Sequence, residues 1–560
     1  MTRPGPDWQC GRTRRVQDDR MSLSEELFDV IVIGGGPVGE NAADRASRTG
    51  LSVALVESEL VGGECSYWAC MPSKVLLRAG AVRALARDTP GLRDPGAPDV
   101  AAVLARRDEI TSNWDDSGQV SWVEGAGLTL VRGHGRLAGE RLVEVTVPPA
   151  GSGGDARSGG EEGAGGDAGS GGEEGAAGSG LGEADTGEQP VTRLLRARHA
   201  VIAATGSVPV LPGTPGLAEA APWSSREATA ADTVPESLAV IGGGVVGVEM
   251  ANAYADLGAK VTLLTRGGLL SNAEPFAGEM VADALRELGV DVRTGVEVSS
   301  VERPGAGVDG EPGRVTVTLV GGEQLTAAEL LVATGRVPRT ADLNLESVGL
   351  GESALGRGGA LVVDESMQVK DVAGGWLYAC GDVTGRAPTT HQGKYQGRVV
   401  GDVVAARYGT EAGDRAPTKG DPEPPVGQEG KPWSRYAATA DHTAPVQVVF
   451  TRPQVSWVGP TERAARAAGI PVEAVSYDLS WVAGASVETP GYTGRAQVLV
   501  DTQRRILVGA TFVGPDAGEM LHAATIAVVG EVPLDRLWHA VPAYPTVSEV
   551  WLRFLESYGL

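Results

Sequence analysis

Residues 28–46, FDVIVIGGGPVGENAADRA, begin as an unbroken β-branched apolar run, break on glycines and continue alanine-rich. A short apolar run bounded by turn residues predicts a buried strand, and the stretch after it predicts a helix. LSVALVE (51–57) reads as the next strand, and AVRALAR (81–87) and VAAVLARRDEI (100–110) as helices. Over 127–147 apolar and polar positions alternate, which predicts antiparallel strands, and VTRLLRARHAVIAATGS (191–207) resumes strand character. The strand-turn-helix pattern returns at LAVIGGGVVGVEMANAYADLG (238–258), followed by the strand KVTLLTR (260–266) and further strands within 315–336. From about 445 onward, PVQVVFTRPQVSWVG opens a region of mixed strands and helices without a glycine-rich turn of this kind. Strands alternating with helices in this way define an α/β chain.

Three stretches fall outside that order. Residues 149–190 carry the heptad SGGEEGA at 158–164 and again at 170–176, embedded in Gly, Ser, Ala and acid. Such a segment cannot bury enough apolar surface to offset its ordering entropy. It is expected to be a disordered, inert insertion in the tip of a β-hairpin. A Gly/Pro-rich acidic stretch at 408–432 marks a linker, and residues 1–27 read as a disordered tail in which Met21 is a candidate true start. Arg14-Arg15 in the tail does not make a secretion signal, because Asp18, Asp19, Glu25 and Glu26 follow where an apolar segment is needed.

The 560 residues suffice for three or four domains. The net charge of -24 argues against a nucleic-acid partner or an anionic membrane surface. About a third of that charge lies in 149–190, so it says little about a catalytic surface. The apolar runs are short and broken by glycine, so no membrane span is expected. The 4 cysteines, Cys10, Cys65, Cys70 and Cys380, are too few for a secreted disulfide scaffold. They fit a reducing, cytoplasmic setting with one special pair; Cys380 reads as buried and inert. No metal site is read.

Gly34, Gly36 and Gly39 form a GxGxxG turn between strand and helix, which lets a pyrophosphate approach the unpaired N–H groups of a helix N-terminus. Glu57 ends the next strand, placed to accept from a ribose. Gly242, Gly244 and Gly247 repeat the turn, so two dinucleotides are expected. At the second site Arg266 follows Thr265 where an NAD site has an acid. A cation there suits a 2′-phosphate, so NADPH is favoured over NADH. Cys65 and Cys70 lie in GGECSYWACMPSK (62–74), at a spacing that one helical first turn can flex to bring into bonding reach. A helix N-terminus also favours the thiolate. A pair so placed suggests a disulfide exchanging electrons with a flavin.

With these motifs the chain resembles the flavoprotein disulfide reductases, which include dihydrolipoamide dehydrogenase, glutathione reductase, mercuric reductase and soluble transhydrogenase. ATGSVPVLP (204–212) and ATGRVP (333–338) resemble the segments flanking the NAD(P) domain, which puts Thr205, Gly206 and Gly335 at the cofactors. YACGDVTG (378–385) resembles the second FAD motif, with Gly381 and with Asp382 on the ribityl chain; THQGKYQGRVVGD (390–402) resembles the helix after it. The resemblance implies two Rossmann-like domains, for FAD and NAD(P), and a C-terminal α+β dimerisation domain. The expected layout is FAD-binding at 28–212 and 343–412, NAD(P)-binding at 213–342, a linker at 413–442 and dimerisation at 443–560. It further implies a homodimer that passes hydride from NAD(P)H through FAD to a Cys65–Cys70 disulfide on the opposite face of the flavin. Cys70 would be the thiolate against the flavin, Cys65 the interchange thiol, and Lys74 the partner of Glu249 at the reactive edge.

The pattern departs in three places. Thiol-reducing members carry a C-terminal histidine before Pro-Thr and a glutamate five residues later; here VPAYPTVSEVW (541–551) keeps Glu549 but has Tyr544 for the histidine. A phenol is a poor base at neutral pH, where imidazole is well matched. His539 is five residues too early, and His391 and His522 read as serving local structure. The chain also ends FLESYGL, without the terminal cysteine pair of mercuric reductase, and Tyr67 and Trp68 between the cysteines are unusually bulky. The expected function is therefore dihydrolipoamide-dehydrogenase-like reduction of a small-molecule disulfide. The alternative is direct transfer from flavin to a quinone, a metal ion or, as in a transhydrogenase, another nicotinamide.

Overall fold

The computed structural model describes residues 24–147, 190–305, 313–409 and 430–560. The tail with Cys10, nearly all of the acidic insertion read at 149–190 and most of the 408–432 stretch lie outside the described residues. The first turn follows the apolar pattern: strand β1 (Glu25–Ile33), helix α1 (Pro37–Ser47), strand β2 (Val53–Glu57). Val30 to Ile33 are at most 4% exposed, because β1 is a central strand with parallel neighbours on both edges and packed core side chains over its faces. The short helix α2 (Gly63–Tyr67) and the long helix α3 (Cys70–Asp88) come next, then β3 (Thr129–Arg132), β4 (His134–Gly139), β5 (Leu142–Val147) and β6 (Val191–Ala203). Their order in the sheet is β3-β2-β1-β6-β5-β4, and the strand Leu377–Ala379 adds to β6.

This corrects two local expectations. β3 pairs parallel with β2, and only β4, β5 and β6 form an antiparallel meander. Alternation fixes which face is buried, not which neighbour a strand finds; the helix Ser117–Gly125 before β3 returns it parallel. Cys65 and Cys70 also do not share one helix. Cys65 lies in α2 and Cys70 starts α3, with a break at Ala69 (φ -136, ψ -95). Trp68 and Tyr67, 2% and 3% exposed, enforce the break by burying with Trp114 and Ala230. On either side of the acidic stretch, Val147 pairs with Val191, so the chain leaves and re-enters the sheet directly opposite itself.

The second turn repeats the first: β7 (Ser237–Ile241), α4 (Val245–Asp256), β8 (Lys260–Thr265). These strands form a parallel sheet with Asp291–Thr294 and Glu329–Val332, and three antiparallel strands flank it. Helix α5 (Thr390–Tyr408) returns to the first unit and lies on α1. Gly393, Gly397 and Gly401 recur every four residues on the face that meets α1. A Cβ would fall 2.6 Å from Val38 Cγ2, 2.6 Å from Val38 O and 2.7 Å from Ala42 O, respectively, so the two backbones touch. Residues of β1, β2, β6 and α5 share one apolar core.

Residues 446–514 contribute a five-stranded antiparallel sheet, covered by the helix Ala517–Val529. It is tied to α4 by Arg452, which donates to both oxygens of Asp256 at 2.7 and 2.8 Å. Among the described residues no helix is long and apolar enough to cross a membrane.

Candidate active site

Both glycine turns have the same construction. Gly34 and Gly242 have φ of +107° and +125°, and a Cβ on either would strike a carbonyl oxygen of the neighbouring strand end, Ala204 O or Ala333 O. A Cβ on Gly39 or Gly247 would fall 1.9 Å from the carbonyl oxygen of Gly34 or Gly242, so helix and strand close only with glycine. The middle glycines differ. Gly244 has nothing within 4 Å of a built Cβ, and Gly36 only the Gly63 Cα at 3.8 Å. These two face open space, as a pyrophosphate held on helix N–H groups requires.

A cavity of about 1420 Å³ runs from the first turn to the cysteines, a size that exceeds drug-sized pockets and suits a dinucleotide. Its wall includes Gly34, Gly36, Glu57, Thr205, Gly206, Gly381 and Asp382, together with Cys65, Cys70, Lys74 and Glu249. Glu57 accepts from the backbone N–H groups of Gly35 (2.6 Å) and Glu59 (2.7 Å), which leaves lone pairs for a ribose. Burial pushes its carboxyl up, and those two donors oppose the shift. Asp382 is likewise pushed up by burial, opposed by the Ser207 hydroxyl that donates to it at 2.6 Å.

A chain of ion pairs not read from the sequence lines the same wall. Arg226 donates to both oxygens of Glu59 (2.6 and 3.0 Å) and to Glu64 (3.3 Å). Arg336 donates to Glu64 (2.5 Å) and to the Ser207 hydroxyl (2.8 Å). Arg226 also covers the Trp68 ring at 4.2 Å, which gives the bulky residues between the cysteines a packing role.

Lys74 and Glu249 meet as anticipated, Nζ to Oε2 at 2.8 Å. Phe450, unremarked in the sequence, completes the group: its N–H donates to Glu249 Oε1 at 2.9 Å, and its ring lies 4.8 Å from Lys74 Nζ. Cys70 starts the nineteen-residue helix α3, and its Sγ lies 3.4 Å from Thr390 Oγ1 at the start of α5. The hydrogen bond from Cys65, reinforced by Thr390 and by the Lys74 charge, outweighs burial and pulls the Cys70 thiol down to about 6. The same bond and burial push Cys65 up. These surroundings favour the anion at Cys70 over Cys65. Cys380 is fully buried, and burial pushes its thiol up to about 12.

Gly39, Gly242, Gly247, Gly244, Arg266 and Gly335 do not line this cavity. Arg266 is exposed just beyond β8, and Gly335 has φ +131° with nothing within 4 Å of a built Cβ. Tyr544 is 77% exposed, and the buried Glu549 has one carboxylate oxygen without a hydrogen-bond partner. Within one chain these two are not brought to the cysteines. His391 does donate to the Val446 carbonyl (2.8 Å), as a structural residue would, but it also lines the cavity.

Comparison with known proteins agrees with this geometry. The family model Pyridine nucleotide-disulphide oxidoreductase matches residues 28–397, and that family's dimerisation domain matches residues 446–553. Mercuric reductase from Shigella flexneri is 30% identical over 540 residues, 95% of this chain and 81% of that protein. Mercuric reductase from Staphylococcus aureus is 28% identical over 93% of this chain and 81% of its own length. The fold matches a Cu(II) complex of the HOCl-induced flavoprotein disulfide reductase RclA from Escherichia coli, with TM-score 0.70 and 22% identity over 95% of this chain and 99% of that one. LpdA from Mycobacterium tuberculosis matches with TM-score 0.70 and 23% identity, over 95% and 100%. With open middle glycines, a cavity of dinucleotide size and acceptors at Glu57 and Asp382 that fit FAD, the chain belongs to the pyridine nucleotide-disulphide oxidoreductases, enzymes that use FAD and NAD(P)H.

Proposed function

We propose that the chain is a homodimeric NADPH-dependent reductase of small-molecule disulfides, of the dihydrolipoamide-dehydrogenase-like type. The observation that carries this reading is the cysteine pair: Cys65 and Cys70 both line the wall of the dinucleotide cavity with Lys74 and Glu249, and the surroundings favour the anion at Cys70. FAD held there supplies a two-electron relay between a nicotinamide and the sulfur pair.

The remaining roles belong to the chain. Gly34, Gly36 and Gly39 shape the FAD pyrophosphate site, Glu57 accepts from the ribose and Asp382 from the ribityl chain; Thr205, Gly206 and Gly381 line the wall beside them. Gly242, Gly244 and Gly247 do the same for the nicotinamide dinucleotide, with Gly335 at its flanking segment and Arg266 on the 2′-phosphate. Lys74, oriented by Glu249, presents a cation to negative charge developing in the cavity. The homodimer reading draws support from the dimerisation-domain match and from Val541 and Trp481, 85% and 72% exposed in the single chain. Tyr544 and Glu549 come from that region.

Substituting Cys65→Ser tests the reading. Turnover of disulfides with NADPH is expected to fall by about 1000-fold or more, as for loss of a nucleophile that acts as a unit with its partner. Undiminished turnover of every acceptor would remove the reading. It would favour the second one, direct transfer to a quinone, a metal ion or another nicotinamide. Tyr544 motivates that second reading, and so do relatives that are mercuric reductases.

A further inference from the structure

Cys65 and Cys70 lie on separate helices, so no single helical geometry fixes one sulfur relative to the other. α3, which carries Cys70, is nineteen residues long and shares a core with α4 through Leu76 and Leu77. α2, which carries Cys65, has five residues, too few for helical hydrogen bonding to hold it. Gly62 and Gly63 lead into it at φ of +108° and +56°, and the break at Ala69 ends it. The place of Cys65 therefore depends on what grips α2 from outside.

The grip comes from the short helix Ser225–Ala230, whose Ala228 packs in the core of the unit built on the second glycine turn. A capping box starts this helix, with Glu227 accepting from the Ser224 N–H at 2.6 Å. Arg107, 1% exposed, holds its other end by donating to the Thr229 and Ala231 carbonyls at 2.5 and 3.0 Å. Between those fixed ends, Thr229 Oγ1 donates to the Trp68 carbonyl at 2.8 Å. Arg226 lies over the Trp68 ring and donates to Glu64 Oε1 at 3.3 Å. Arg336 donates to Glu64 Oε2 at 2.5 Å. Both carboxylate oxygens of the residue directly before Cys65 are thus held by guanidinium groups from outside α2.

We propose that Glu64 is the positioning residue of the sulfur pair: gripped by Arg226 and Arg336, it fixes α2 so that the Cys65 sulfur stays within bonding reach of Cys70. The proposal rests on the disulfide-reductase reading. Glu64 belongs to the first glycine-turn unit and Arg226 to the second, so the geometry of the pair is set by the seam between the units and not by the cysteine motif alone. Glu64→Ala leaves Arg226 on Glu59 and Arg336 on Ser207, so neither guanidinium is stranded in the variant.

Two measurements on the holoenzyme test it. Rapid anaerobic mixing with one NADPH per FAD follows the flavin band as it bleaches. The band then returns as two electrons and one proton pass to the disulfide, which opens to a thiol and a thiolate. In Glu64→Ala the return is expected to slow by about 100-fold, the cost of a misplacement of about 1 Å, with the bleach slowed far less. Glu64→Gln keeps an oxygen for Arg336 and should regain about tenfold of that loss. Hydrogen exchange across residues 62–69, followed by mass spectrometry, should quicken about tenfold in Glu64→Ala. Equal slowing of bleach and return, or unchanged exchange at α2, overturns the assignment. A wild-type band that returns, matched in rate by Glu64→Ala, sinks the positioning role alone. A wild-type band that never returns sinks the disulfide reading and this proposal with it.

Discussion

Glu249 is 3% exposed, and two donors reach its carboxyl group, Lys74 Nζ and the Phe450 N–H. Removing the lysine strands the carboxylate. Lys74→Met is therefore expected to cost about 2–3 kcal/mol, less than for a fully buried pair because Lys74 is a third exposed, measured by denaturant unfolding of the holoenzyme. An unchanged midpoint would mean that Phe450 alone suffices. Arg266 makes the opposite case, an exposed residue whose proposed worth lies in a ligand. Arg266→Ala should reduce the preference for NADPH over NADH, in kcat/KM, by about tenfold, since one charge-assisted contact is lost; equal loss for both cofactors would refute the 2′-phosphate role. At this scale the sequence was legible wherever a motif is local. Cys65, Cys70 and Lys74 fall within ten residues, and the role proposed for them followed from resemblance. Phe450 is 201 residues from Glu249, and its contribution is a backbone N–H that no side-chain pattern announces.

The two glycine turns show how elements combine a packing requirement with a ligand requirement. Gly247 lets α4 close on β7, and Gly244 leaves open space at the start of α4, where we propose that a ligand approaches. Gly247→Ala should therefore destabilise the holoenzyme by about 1–3 kcal/mol through overpacking. Gly244→Ala, at φ -80° with open space around it, should leave the melting temperature alone and raise KM for NADPH about tenfold. Calorimetry and steady-state kinetics on both variants check this; a loss of stability in Gly244→Ala would contradict the division of labour. Both turns were legible because strand, turn and helix are contiguous. The direction of β3 and the break between Cys65 and Cys70 were not. The first depends on which strand edge is open, and the second on where Tyr67 and Trp68 find a core.

Across the whole molecule, the cavity wall is assembled from segments far apart in sequence. The relay from Glu59 through Arg226, Glu64 and Arg336 to Ser207 and Asp382 spans separations of up to 272 residues. No single-sequence period encodes such pairs, so this half of the site appeared only in the fold. The order of the motifs did carry the architecture, because each glycine turn brings its own sheet. The central claim is that Cys65 and Cys70 add a second two-electron store beside the flavin. Anaerobic titration with NADPH counts that store directly. The account predicts two NADPH consumed per FAD in the wild type and one in Cys65→Ser; one in both would show that the pair takes no part.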